Sequence, residues 1–84
     1  MTTTNLAIRL FAVARERVGV DVIEVAVSDG ATIRELRHAL VEQHPSLADV
    51  LRHARLAIDN DYAGDCHVIP AGAEVALIPP VSGG

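Results

Sequence analysis

One segment with helical periodicity stands between segments with strand periodicity, and this order limits the folds open to the chain. Thr32 and Glu35 have the spacing of a capping box, in which the two side chains satisfy free backbone N–H groups at a helix start. Pro45 prevents continuation, so we expect the helix to end near His44. The apolar side chains that follow Thr32 at helical spacing predict one buried face, formed by Ile33, Leu36, Leu40 and Val41.

The segments on either side of this helix show the two-residue alternation of β-strands. We predict four main strands, at residues 6–13, 22–27, 55–58 and 75–78. Residues 14–19 predict a short turn or a single helical turn, so the first two strands form an antiparallel hairpin. Val68 and Ile69 predict a short edge strand. Ser46 is expected to cap a second short helix with a buried stripe of Leu47, Val50, Leu51 and Ala54.

The predicted order of elements is strand, strand, helix and then further strands. The simplest arrangement packs one main amphipathic helix on one face of a mixed sheet, where it covers Leu6, Ile8 and Leu10. The fold class is therefore α+β with a β-grasp outline and a short second helix. We expect residues 1–78 to form one domain and residues 79–84 to form an extended tail. This fold alone does not assign a function.

Charge and composition exclude several classes of protein. The net charge is −4, and all seven basic residues are arginines, so the basic surface of a nucleic-acid-binding or membrane-surface protein is absent. Arg9 and Arg15 interrupt the first apolar stretch, and residues 1–5 lack the features of a signal peptide. The single cysteine, Cys66, excludes an internal disulfide. We expect a cytoplasmic protein that binds neither nucleic acid nor membrane.

The carboxyl-terminal segment carries the strongest functional signal. It directly follows the last predicted strand and reads Pro79-Pro80-Val81-Ser82-Gly83-Gly84. The prolines end the sheet and stiffen an extended arm, while the glycines fit a channel too narrow for side chains. We expect this arm to present the terminal carboxylate of Gly84 to an active site on another protein. The alternative is an ordinary frayed end.

A tail of this kind binds weakly alone, because ordering it costs roughly 1–2 kcal/mol per residue. The body is therefore expected to carry a docking surface. Strand alternation places Phe11 and Ile78 on the sheet face opposite the helix, and Tyr62 is the other aromatic residue of the chain. Aromatic side chains are enriched at interface centres. The alternative is that Phe11 closes one end of the core.

The remaining reactive side chains are expected to have ordinary roles. Cys66 has no second cysteine near it and is expected to pack as a small hydrophobe. The four histidines match no zinc-binding spacing, and the aspartates of residues 59–65 lack the glutamate that completes a calcium loop. We therefore predict no metal site. Arg15 belongs either to a partner contact or to a solvated charged turn.

Three segments resemble the small-subunit family of molybdopterin synthase, the MoaD-like sulfur carriers. They are residues 11–19 (FAVARERVG), residues 72–78 (GAEVALI) and residues 79–84 (PPVSGG). The resemblance implies a ubiquitin-like β-grasp. It also implies an interface with partner proteins at Phe11, Ile78 and Tyr62.

The resemblance also implies a chemistry for Gly84. An ATP-dependent, ubiquitin-activating-like adenylyltransferase adenylates this residue, and a sulfurtransferase supplies the sulfur of a thiocarboxylate. Residues 79–83 then enter the large subunit of a heterotetramer, where the sulfur passes to cyclic pyranopterin monophosphate in molybdenum cofactor biosynthesis. The catalytic groups lie on the large subunit, so the chain is not an enzyme by itself. It binds no cofactor stably, since ATP belongs to the activating enzyme.

Two other functions remain open from the residues. The first is sulfur carriage for another pathway, such as thiamin thiazole, cysteine or tungsten cofactor synthesis. The second is protein modification through an isopeptide bond at Gly84. Because the chain has no lysine, it cannot form lysine-linked chains on itself.

Overall fold

The structure is a computed structural model, and it describes residues 2–80. These residues form one mixed sheet with the strand order β2-β1-β5-β3-β4. Strands β1 and β5 are parallel, and the other neighbouring pairs are antiparallel. The strands are β1 (Thr3–Leu10), β2 (Val22–Ser28), β3 (Arg55–Ile58), β4 (Asp61–Ala63) and β5 (Val75–Ile78). The helices are α1 (Ala12–Val18), α2 (Ile33–Gln43) and α3 (Ala48–Leu51), with a 3-10 turn at Pro45–Leu47.

Helix α2 begins at the predicted capping box. The Thr32 hydroxyl accepts a hydrogen bond from the Glu35 N–H at 3.3 Å, and Glu35 Oε1 accepts one from the Thr32 N–H at 3.0 Å. Each bond satisfies a backbone donor that has no partner inside the helix. The helix ends at Gln43, as expected from Pro45. Val41 was expected on the buried face, but it is 40% exposed because it lies to the side of the stripe formed by Ile33, Leu36 and Leu40.

The core lies between α2 and the inner face of the sheet. Alternate residues of β1 and β5 point into it, and nearly all of their surface is removed from water: Leu6, Ile8, Leu10, Val75 and Leu77. The stripe predicted for the second helix is also buried: Leu47, Val50, Leu51 and Ala54. These contacts confirm the predicted α+β, ubiquitin-like β-grasp with one main amphipathic helix and a short second one.

The first strand differs from its prediction. It ends at Leu10 rather than at residue 13, because Phe11 becomes the N-cap residue of α1. The residues that follow favour a helix, and Ala14 anchors that helix by complete burial. Helix α1 ends at Gly19, whose φ of 88° is the left-handed conformation that closes many helices. The closing glycine was predicted, but the helix is longer than a single turn.

Two further expectations were wrong. Ser46 caps no helix, because the 3-10 turn begins at Pro45 and Leu47 is the N-cap residue of α3. Val68 forms only an isolated bridge to Thr32 rather than an edge strand. The edge strand beside β3 is instead β4, which follows β3 after a two-residue turn at Asp59 and Asn60.

Candidate functional site

The outer face of the sheet is the side turned away from the core. One cross-strand row on this face runs from β1 to β4 through Arg9, Ala76, Ala57 and Tyr62. The two alanines in the middle are small, so the centre of the row is flat. Tyr62 stands at one end with 61% of its surface exposed. In the adjacent row, Arg55 of β3 is paired with Ile78 of β5.

Phe11 lies at the point where β1 leaves the sheet. The residue before it, Leu10, is paired with Leu77, so Phe11 follows the strand on the β1 side of Ile78. Phe11 is 45% exposed, which excludes the alternative that it closes the core. Phe11 lies between β1 and α1, and the next residue, Ala12, has a φ of 50° and turns the chain.

Tyr62 lies on the other side of Ile78. Strand β5 has β1 as one neighbour and β3 as the other, and β4 follows β3. Phe11 and Tyr62 therefore flank Ile78 from opposite sides. We call the surface formed by Phe11, Ile78 and Tyr62 the docking surface. It surrounds the point at which the chain leaves β5 and enters the tail.

A small cleft opens beside the start of the tail. Its volume is about 220 Å³, and its lining consists of His53, Arg55, Tyr62, Ile78, Pro79 and Pro80. Pro79 is buried and Pro80 is exposed. The Arg55 guanidinium lies over the Tyr62 ring, 4.9 Å from its centroid. We call this pocket the tail-base cleft.

Sequence reasoning did not single out His53 or Arg55 for this site. A signal for Arg55 was its place as the one charged residue at the start of the otherwise apolar strand β3. His53 carried no comparable signal, since its position depends on how α3 connects to β3.

The other predicted site residues lie apart from the cleft. Arg15, on α1, forms an ion pair with Asp21 at 3.5 Å, and both side chains are exposed. An exposed pair of this kind contributes little to stability. Residues 81–84, which include the predicted Val81, Ser82, Gly83 and Gly84, lie outside the described residues.

Cys66 was expected to pack as a small hydrophobe, but it is exposed. It lies in the irregular segment between β4 and β5, which leaves its side chain in solvent. Across residues 2–80, no three His, Cys, Asp or Glu side chains come together as a metal site would require. None of the helices in the same range has the length and apolarity needed to cross a membrane.

The fold and the site together define a class of protein. The body is a ubiquitin-like β-grasp, and its last strand leads from an exposed apolar surface into a Pro-Pro-Val-Ser-Gly-Gly segment. This combination describes small ubiquitin-like proteins with a Gly-Gly tail. Within that class, the chain belongs to the ThiS family, whose family profile matches residues 8–84.

Two curated relatives and one solved structure illustrate the similarity. The Arabidopsis thaliana protein named molybdopterin synthase sulfur carrier subunit is 34% identical over 83 residues, covering 99% of this chain and 86% of that protein. The Haloferax volcanii small archaeal modifier protein 1 is 33% identical over an 84-residue alignment, covering 90% and 97%. The crystal structure of SAMP1 from Haloferax volcanii matches with a TM-score of 0.82 and 32% identity, covering 96% of this chain and 100% of that one.

Proposed function

We propose that this chain is the sulfur-carrier small subunit of molybdopterin synthase and that Gly84 carries the sulfur. The observation that carries the proposal is the position of Pro79 and Pro80, the first tail residues, which leave β5 beside Ile78 at the centre of the docking surface. Membership of the ThiS family and the similarity to the Arabidopsis sulfur carrier subunit support it.

The proposed chemistry begins at the Gly84 carboxylate. In the cytoplasm, an adenylyltransferase joins this carboxylate to the AMP portion of ATP and releases pyrophosphate. A sulfurtransferase then supplies sulfur at the oxidation level of sulfide, which attacks the acyl carbon, releases AMP and leaves a thiocarboxylate. In the large subunit, this sulfur passes to cyclic pyranopterin monophosphate, and water returns Gly84 to a carboxylate. A glycine at the reacting end suits these steps, because it places no side chain beside the acyl carbon.

In this proposal, a partner that binds the docking surface brings the end of the tail to its own active site. A chain segment spans at most about 3.3–3.6 Å per residue, so six residues such as 79–84 cannot extend farther than roughly 20 Å. A partner that holds the docking surface must therefore have its active site within that distance. Holding the body converts a bimolecular attack by the sulfur into a positioned one. In this proposal, the large subunit and the adenylyltransferase use the same surface in turn.

Intact-mass analysis tests the proposal directly. Protein produced together with its own adenylyltransferase and sulfurtransferase is expected to gain the mass difference of one oxygen replaced by one sulfur, located on Gly84 by fragmentation. The matched control is a deletion of Gly84, which is expected to keep the wild-type circular dichroism spectrum and acquire no sulfur. Wild-type protein that never gains sulfur would contradict the proposal.

A second candidate function is protein modification. The similarity to small archaeal modifier protein 1 favours it. In this case Gly84 would form isopeptide bonds with lysines of other proteins, and denaturing electrophoresis would show conjugates of high mass. The absence of lysine in this chain predicts single attachments rather than chains linked through it.

A sulfur carrier of another pathway remains the third candidate. The protein that copurifies distinguishes it from the main proposal. A pterin-handling large subunit supports molybdopterin synthesis, whereas a thiazole synthase supports thiamin synthesis.

A further inference from the structure

Three arginines form ion pairs within residues 2–80, whereas Arg55 forms none and contacts an aromatic ring instead. Arg9 is paired with Glu74 at 3.3 Å, Arg15 with Asp21 at 3.5 Å and Arg37 with Asp65 at 3.4 Å. Within residues 2–80, Arg55 has no carboxylate at such a distance, and its guanidinium lies over the Tyr62 ring instead. The Tyr62 ring therefore positions the Arg55 guanidinium, and no carboxylate within residues 2–80 neutralises its charge.

The stacking determines which parts of the guanidinium stay available. The Tyr62 ring approaches the guanidinium from one side, which leaves the N–H donors away from the ring available to a ligand. Two of these donors match the two oxygens of a carboxylate in a bidentate pair. Because the ring already restricts the side chain, less conformational freedom is lost when a carboxylate binds.

The surroundings of Arg55 favour the same kind of ligand. The tail-base cleft combines the Arg55 guanidinium and the His53 imidazole with the apolar surface of Ile78, Pro79 and Pro80, and no acidic residue lines it. The nearest acidic residue in the sequence of β4 is Asp61, which precedes Tyr62 and therefore points to the other face of the strand. The chain as a whole carries a net charge of −4, but this cleft favours a negatively charged ligand.

We propose that Arg55 recognises a carboxylate on the partner protein, while an apolar side chain of the same partner segment fills the tail-base cleft beside Ile78. The inference rests on the proposed function and specifies the partner chemistry: an acidic residue next to an apolar one. Arg55 then determines specificity, because a partner without the carboxylate leaves the guanidinium desolvated and unpaired. Tyr62 acts as a positioning residue through its contact with Arg55.

Binding to the large subunit of molybdopterin synthase from the same organism tests the inference. Arg55→Met keeps an unbranched stem and removes the charge, so we expect the Kd to rise about tenfold. Arg55→Glu places two negative charges together, and we expect a rise of about a hundredfold or more that becomes smaller at high salt. Arg55→Lys keeps the charge but loses the bidentate geometry, so its effect is expected to be smaller than that of Arg55→Met.

The matched control is Arg52→Glu. Arg52 is also exposed and its substitution changes the net charge equally, but it lines a different groove, between α2 and α3. We expect its Kd to stay within about twofold of the wild type. Equal weakening by Arg52→Glu and Arg55→Glu would overturn the inference, because it would show a general charge effect.

Ile78→Asp separates the inference from the proposed function. If wild-type protein neither binds the large subunit nor gains sulfur, the proposed function fails. If wild type binds, Ile78→Asp does not, and the Arg55 variants bind like wild type, only the inference fails. Thermal unfolding of each variant verifies that the fold is kept.

Discussion

Gln43 makes two hydrogen bonds to the main chain of Ala26 through its side-chain amide. Its Oε1 accepts from the Ala26 N–H at 3.0 Å, and its Nε2 donates to the Ala26 carbonyl oxygen at 2.9 Å. A neighbouring strand would make the same pair of contacts. Next to it, His44 Nε2 lies 3.2 Å from the Glu24 carbonyl oxygen. Because β2 is an edge strand, the end of α2 closes the middle of an edge that would otherwise accept another strand.

Replacing Gln43 is therefore expected to leave the Ala26 N–H and carbonyl groups of β2 free to pair with another strand. Gln43→Met keeps the length of the side chain and removes both hydrogen-bonding groups. We expect a loss of about 1–2 kcal/mol in the free energy of unfolding, measured with urea, because two hydrogen bonds from the side chain to the main chain of β2 are lost. We also expect concentration-dependent association, measured by analytical ultracentrifugation.

The neighbouring Glu42→Met provides the control for Gln43→Met. Glu42 is exposed and makes no such contact to β2 within residues 2–80, so this variant is expected to remain monomeric with nearly wild-type stability. A monomeric Gln43→Met with unchanged stability would show that the amide does not protect the edge.

Local sequence signals predicted the helix and most of the core. The capping box at Thr32 and Glu35 and the spacing of Leu36 and Leu40 act within a few residues, and the structure confirms each of them. Strand alternation likewise identified the buried side chains of β5. These signals are reliable because the groups that produce them are close in the chain.

The arrangement of the candidate site depends on contacts between distant parts of the chain. Phe11 and Tyr62 lie on either side of Ile78 because β1 pairs in parallel with β5 and β3 pairs with its other edge. No local pattern encodes that order. The strand that holds Tyr62 has three residues, too few for an alternation to be recognised. Alternation could therefore place Phe11 and Ile78 on one face of the sheet, but the position of Tyr62 beside them depends on the strand order.

Arg37 connects α2 to the end of α3. Its Nη1 donates to the Leu51 carbonyl oxygen and its Nη2 to the Ala54 carbonyl oxygen, both at 2.9 Å. Leu51 is the last residue of α3 and Ala54 follows it by three residues, so both carbonyl groups lie at the C-terminal end of a short helix, where a cation is favourable. We expect Arg37→Met to lower the free energy of unfolding by about 2 kcal/mol in urea titrations, since bonds from a charged donor are lost.

Arg34→Met is the comparison for Arg37→Met. Arg34 lies one turn earlier on α2 and is exposed, so its loss is expected to change stability by less than about 0.5 kcal/mol. Equal effects of the two substitutions would mean that the carbonyl contacts of Arg37 contribute nothing.

The turn between β3 and β4 requires left-handed backbone at two successive residues. Asp59 has a φ of 49° and Asn60 a φ of 73°, the combination found in type I′ hairpins. Asn60→Val is expected to lower stability by about 1–2 kcal/mol, because a β-branched side chain clashes in this conformation. Asn60→Gly is expected to stay close to wild type, since glycine adopts it freely. Thermal unfolding measures both effects.

The control for the turn is Asp61→Val. It introduces the same side chain one residue later, at an exposed strand position where β-branched residues are favoured. We expect no loss of stability there. A loss as large as that of Asn60→Val would assign the effect to the new side chain rather than to the backbone of the turn.

Leu10 and Phe11 are adjacent in the chain, but Leu10 is expected to contribute mainly to stability and Phe11 mainly to partner binding. Leu10 is 2% exposed, so Leu10→Ala is expected to cost about 2–5 kcal/mol of unfolding free energy through lost packing. Phe11 is 45% exposed, so Phe11→Ala is expected to cost less than about 1 kcal/mol while weakening binding to the large subunit. Urea unfolding and binding titrations on the same samples separate the two effects. A stability loss for Phe11→Ala equal to that of Leu10→Ala would place Phe11 in the core, and unchanged binding would remove it from the docking surface.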